Sequence, residues 1–204
     1  MFVMLASLLM LQGAKWSDPR VPIPSPWKEP GYLKVVWIQS PNFGKRPGGI
    51  ADVDTIIVHS TVINSLETTT AAFSRGEDVN PAAVSSHFTI GRDGSIVQNV
   101  STFGRAWHAG VSVGPSGRKG VNDYSIGIEL VNLNDGKDPY PQAQLQALRG
   151  VIAEMCRRFP IKYIASHEYI AQPPGRKNDP KNFPWERLRD LGVPISIGEH
   201  KIAP

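Results

Sequence analysis

The run Thr55-Ile56-Ile57-Val58 has no polar break and stops on an imidazole, His59. A short unbroken run of this kind suits a central strand buried on both faces, so the chain must supply cover above and below it. Ser125–Asn132 reads as another buried strand, and Lys162–Ser166 as the strand that delivers His167. Helical patterns separate them. Ser65–Arg75 reads as a helix with Ser65 as its N-cap and Glu67 in its first turn. Gln142–Phe159 is the clearest helix, with Leu145, Leu148, Ile152, Met155 and Phe159 at helical spacing. His87–Ile90 and Ser95–Asn99 form a hairpin around Gly91-Arg92-Asp93-Gly94, where Asp-Gly signals the turn. Lys34–Ile38 reads as a further strand, Ser40–Gly49 as a Pro/Gly/Asn loop and Trp185–Leu191 as a short terminal helix. Together these predict an α/β fold, a mixed, mainly parallel central sheet with helices on both faces.

A length of 204 residues leaves room for one domain with a sizeable core. The net charge of +4 favours anionic surroundings, but the basic residues are dispersed and their one cluster is Arg176-Lys177. No nucleic-acid partner is expected from that pattern. The single cysteine, Cys156, excludes an intramolecular disulfide and a cysteine-rich zinc cage. Phe2–Leu11 is apolar apart from Ser7, too short to span a bilayer and of a length that suits a signal-peptide core. Residues 1–14 are therefore expected to be a signal peptide and the protein to be exported, with a cytoplasmic location as the alternative. No lysine or arginine precedes the run. Residues 15–32, rich in proline, are expected to be an extended linker. The mature chain is expected not to insert stably in a membrane.

Chemistry concentrates near Ser166-His167-Glu168 and Pro174-Gly175-Arg176-Lys177-Asn178-Asp179-Pro180. An imidazole and a carboxylate lie twelve positions apart, with a lysine two residues before the carboxylate. With His59 they make two imidazoles and one carboxylate, a common ligand set for a catalytic zinc that keeps its fourth position open for water. A lysine beside such a site can steady an oxyanion. Position 171 is alanine, so His167-Glu168 does not begin the helical two-histidine zinc motif. Glu129 falls inside a buried strand, where an unpaired carboxylate is costly.

In this order, Val58-His59-Ser60-Thr61, Ser86-His87-Phe88, Trp107-His108-Ala109-Gly110, Gly127-Ile128-Glu129-Leu130 and Gly175-Arg176-Lys177-Asn178-Asp179-Pro180 resemble the type-2 N-acetylmuramoyl-L-alanine amidases, a family that also includes peptidoglycan recognition proteins. The likeness runs from about residue 38 to 193. It implies one Zn2+ per chain on His59, His167 and Asp179, Glu129 as general base and Lys177 at the oxyanion. Where relatives lack the glutamate, a tyrosine serves, and its position here is Ser86. The resemblance leaves His87, Trp107 and His108 lining the cleft or just behind it. Arg176 either binds a substrate carboxylate or braces its loop. It further implies a monomer acting on peptidoglycan or muropeptides, with a zinc amidase domain over residues 33–195 and a tail over 196–204. A non-catalytic peptidoglycan-binding module and a zinc peptidase cutting within the stem peptide are the alternatives. After Asp179-Pro180 the chain runs Lys181-Asn182-Phe183-Pro184-Trp185, one residue shorter than exported members often have.

Overall fold

A computed structural model of the chain describes residues 35–79, 83–198 and 200–202. The expected signal peptide and linker lie outside them. Ten strands and three α-helices follow one another: β1 (Val35–Trp37), β2 (Phe43–Lys45), β3 (Thr55–Ser60), α1 (Leu66–Phe73), β4 (Phe88–Ile90), β5 (Ile96–Gln98), β6 (Gly104–Ala106), β7 (Ser125–Leu130), α2 (Gln142–Arg158), β8 (Tyr163–Ser166), α3 (His167–Ile170), β9 (Ile195–Ile197) and β10 (His200–Ile202). Eight strands form one sheet in the order β1-β5-β4-β7-β3-β8-β9-β10, and β2 with β6 forms a separate ribbon. Within the large sheet only β4–β5 and β9–β10 are antiparallel. The expected mixed, mainly parallel sheet is what forms.

Side chains of a strand point alternately to its two faces. On one face, Ile56, Val58, Ile126, Ile128, Leu130, Phe88, Ile90 and Ile164 meet Leu145, Leu148, Val151, Ile152 and Met155 of α2, together with Trp185 and Leu188. The other face carries a smaller apolar cluster of Ile57, Ala109, Val121, Tyr124, Ala165 and Ile170, the last from α3. Helical cover is thus present on both faces but unequal. Among the described residues, no helix is long and apolar enough to cross a membrane.

Local chemistry explains most boundaries. Ser65 Oγ accepts the Thr68 N–H at 3.2 Å, closing the N-terminus of α1 as an N-cap should. In the β4–β5 turn, Asp93 Oδ1 accepts the Ser95 N–H at 3.0 Å, and Gly94 takes φ +86, a left-handed conformation open to glycine.

Three expectations change. The 40–49 loop contains β2, which exists only because Phe43–Lys45 pairs with Gly104–Ala106 some sixty residues on. The Trp185–Leu191 helix is a 3-10 helix. The sheet also runs past residue 195 into the expected tail: β9 lies parallel to β8, and β10 returns antiparallel to it. Ile195 is buried and Ile197 packs against the main core, so the hydrophobic edge of the sheet continues there.

Candidate metal and catalytic site

Parallel strands bring like ends together, and here the C-terminal ends of β3, β7 and β8 share one sheet edge. His59 pairs in register with Glu129, and Val58 with Ser166, the residue before His167. Ser166 then caps α3 by accepting the Tyr169 N–H at 3.0 Å, which fixes where His167 leaves the strand. Asp179 arrives on the segment after α3. Its carbonyl accepts the Glu168 N–H at 2.9 Å, so the segment is pinned to the start of that helix.

His59, His167 and Asp179 each present a donor atom, and the three atoms lie within 4.8 Å of one another. Asp179 Oδ2 is 3.1 Å from His167 Nδ1 and 3.5 Å from His59 Nδ1, and the two imidazole centroids are 4.4 Å apart. All three side chains are buried. Burial, together with the neighbouring His167, pushes the His59 imidazole down to about 4, so it is neutral at physiological pH. For Asp179 burial opposes ionisation, but its contacts with His167 and then His59 outweigh it and hold the carboxyl far below the usual carboxylate range. A neutral imidazole and an ionised carboxylate are the forms that metal ligands take.

Five buried side-chain atoms lack a hydrogen-bond partner among the described residues, and two of them are here: His167 Nε2 and Glu129 Oε2. Leaving such atoms unpaired is costly unless something else meets them. The donor set and these orphaned atoms fit a catalytic zinc. Burial, and then the charge of Asp179, raises the Glu129 carboxyl to about 8, a value suited to proton transfer near neutrality. Lys177 is exposed two residues before Asp179, and its charge acts on both His59 and Glu129.

The other expected residues separate. His108 lies directly behind His59, its Nδ1 3.0 Å from His59 Nε2. His87 is fully enclosed, so of the two expected places, lining the cleft or just behind it, it does not take the first. Its Nδ1 accepts the Gly127 N–H at 2.9 Å, because it packs beneath β7 rather than at the sheet edge. Trp107 is half-buried and its backbone N–H donates to Ser85 Oγ at 3.0 Å. Arg176 braces its loop, donating to the carbonyls of Gln172, Ala109 and Val111 at 2.8, 3.1 and 2.9 Å. Those bonds tie the Asp179 loop to the segment that carries His108.

Sequence reasoning missed Arg46 and Asn134. Arg46 is 1% exposed and donates to the carbonyls of Thr102, Asn122, Asp123 and Ser125. Burial, then the charge of Arg105, lowers it to about 9. Nothing in its Pro/Gly-rich surroundings signals burial. Asn134 donates to Asn178 Oδ1 at 3.0 Å and accepts the Lys181 N–H at 2.7 Å, holding the loop on either side of Asp179. Its left-handed φ of 55 is the trace a turn asparagine leaves, and Asn132-Leu133-Asn134-Asp135-Gly136 does read as a turn.

The comparisons agree with this geometry. Over 121 residues the chain is 46% identical to the 1,6-anhydro-N-acetylmuramyl-L-alanine amidase AmpD of Citrobacter freundii, covering 57% of this chain and 61% of that protein. The chain thus spans about three fifths of the length of that curated relative. A crystal structure of an AmpD selenomethionine derivative superposes with a TM-score of 0.64 at 32% identity, covering 79% of this chain and 96% of that one. The amidase AmiD from E. coli, solved with the substrate anhydro-N-acetylmuramic acid-L-Ala-D-gamma-Glu-L-Lys, superposes with a TM-score of 0.61 at 30% identity, covering 70% and 58%. The family model described as N-acetylmuramoyl-L-alanine amidase matches residues 50–182. That span opens at the 3-10 turn before β3 and closes just beyond Asp179, taking in the whole cluster, and the chain belongs to the N-acetylmuramoyl-L-alanine amidase family.

Proposed function

We propose that this chain is a zinc-dependent amidase that hydrolyses the bond between the lactyl group of N-acetylmuramic acid and L-alanine in muropeptides. The observation that carries this reading is the His59/His167/Asp179 cluster with the unpartnered Glu129 Oε2 beside it. Zinc, when bound, supplies a Lewis acid that acidifies water and polarises a carbonyl. Glu129 takes the proton of the attacking water and passes it to the leaving nitrogen, so the products are a lactyl carboxylic acid and a free L-alanine amine. Glu129 ionises more readily once a cation sits near it, which brings it from the acid to the base form. Lys177, at the exposed rim, steadies the oxyanion through its ammonium. Arg176 keeps the loop of Lys177 and Asp179 against residues 109–111.

The substrate class rests on relatives. One is named for a 1,6-anhydro-muramyl substrate and another was solved with an anhydro-muramyl tripeptide, and we extend that class to this chain, acting as a monomer. Export belongs to the same proposal and rests on residues 2–11 alone.

Incubating the zinc-loaded protein with defined muropeptides and weighing the products by mass spectrometry tests the reading. Release of intact peptide with a free N-terminal L-alanine is expected. Fragments cut inside the peptide indicate a peptidase instead, and binding without any cleavage indicates a recognition module. Fusion of residues 1–31 to a reporter tests export, which a wholly cytoplasmic reporter would overturn.

A further inference from the structure

Behind the metal cluster a buried chain of side chains runs His59, His108, Ser125, Val121. His59 Nε2 lies 3.0 Å from His108 Nδ1, His108 Nε2 lies 3.2 Å from Ser125 Oγ, and Ser125 Oγ lies 2.6 Å from the Val121 carbonyl. Proton directions follow from its far end. A carbonyl only accepts, so the Ser125 hydroxyl donates to Val121 and presents a lone pair to His108. His108 Nε2 therefore carries a proton. A neutral His108 then has a bare Nδ1, which accepts from His59 Nε2–H. The opposite direction would need a doubly protonated His108 enclosed without a carboxylate partner, an arrangement burial strongly disfavours.

His108 reaches this position because β7 offers it a hollow. A Cβ on Gly127 would lie 2.5 Å from His108 Cγ and 2.8 Å from its Nδ1. No side chain fits at residue 127 while the imidazole stays where it is. Gly127 is also the register partner of Ile57, two residues before His59.

We infer that His108, seated in the Gly127 hollow, is a positioning residue that holds His59 with its proton on Nε2 and its bare Nδ1 toward Asp179 and the metal. The inference rests on the metal reading of this cluster. Histidine ligands of metals characteristically give their second N–H to a fixed acceptor, and loss of that acceptor typically costs about 10–100-fold in metal affinity. Here the acceptor is a second imidazole whose own tautomer is set by a serine and a backbone carbonyl. The alternative tautomer of His59 would place its proton on Nδ1, facing Asp179 Oδ2 at 3.5 Å and blocking the ligand atom.

The test uses the 15N-histidine-labelled parent, His108→Leu, His108→Asn and Gly127→Ala, each read by imidazole 15N NMR without metal and by zinc titration against a competing chelator. In the parent, His59 is expected to show a pyridine-type Nδ1 and a pyrrole-type Nε2. His108→Leu and Gly127→Ala are expected to mix or reverse that tautomer and to weaken zinc binding about 10–100-fold. His108→Asn, whose amide oxygen stands where Nδ1 stood, is expected to recover most of the affinity. A protonated His59 Nδ1 in the parent overturns the inference whatever the variants do. So does a His108→Leu protein that binds zinc as tightly as the parent, and so does an asparagine variant no better than the leucine one. A parent that shows the expected tautomer yet takes up no zinc sinks the metal reading itself.

Discussion

The two faces of the central sheet are made from the same strands and differ at every second residue. In β3, Ile56 and Val58 enter the core under α2, while Ile57 and His59 face the other way. In β7, Ile126, Ile128 and Leu130 join that core, while Ser125, Gly127 and Glu129 lie on the face with His108 and His59. One face is an apolar layer on whose strands, among the described residues, no buried polar side-chain atom lacks a hydrogen-bond partner. The other holds two unpartnered buried atoms, a neutral imidazole and a carboxyl raised to about 8. Stability and chemistry thus occupy opposite sides of one layer. The apolar core under α2 allows the site face to keep groups that would individually destabilise a fold.

Substitutions on the two faces should therefore fail in different ways. The largest effect is expected from Asp179→Ala, which removes a ligand donor: zinc content and muropeptide cleavage should both fall to background while circular dichroism shows a folded protein. Glu129→Gln comes next, with zinc retained and turnover lowered by about 10²–10⁴. Parent-like turnover in that variant would place the base elsewhere. On the opposite face, Leu148→Ala should cost about 2–5 kcal/mol of stability while leaving kcat per folded molecule unchanged. A kcat loss there without a stability loss would break the division between faces.

The comparison can be sharpened with pH. In metal-free protein the Glu129 carboxyl rises from an ordinary value of 4.5 to about 8. A group raised on folding contributes stability that is fully present below its unfolded value and is lost as pH climbs through its folded one. The melting temperature of Glu129→Gln should therefore gain on that of the parent between about pH 4.5 and 8, in the absence of metal. A constant difference across that window would show that folding does not raise the Glu129 carboxyl. The smallest expected effect lies on neither face: Ser65→Ala removes the cap of α1 and should cost about 1 kcal/mol, without change in zinc content or turnover.

Much of this was legible in the chain itself. The unbroken run into His59, the strand that delivers His167 and the apolar stripe of α2 are local patterns, set by periodicities of a few residues. Local pattern also placed Asp179 on a Pro/Gly loop near His167. The roles proposed for Glu129 and Lys177 rest on resemblance, since a glutamate in a strand and a lysine in a loop are each compatible with plain structural roles. What tertiary structure alone decided are the relations between distant segments. His59 meets His108 across 49 residues and Arg46 meets His87 across 41. β2 becomes a strand only where β6 reaches it, and residues 196–197 and 200–202 join the sheet only beyond the edge of β8. Each of these depends on strand register and order, which free energy sets over the whole sheet. A residue's own neighbours in sequence carry no record of them.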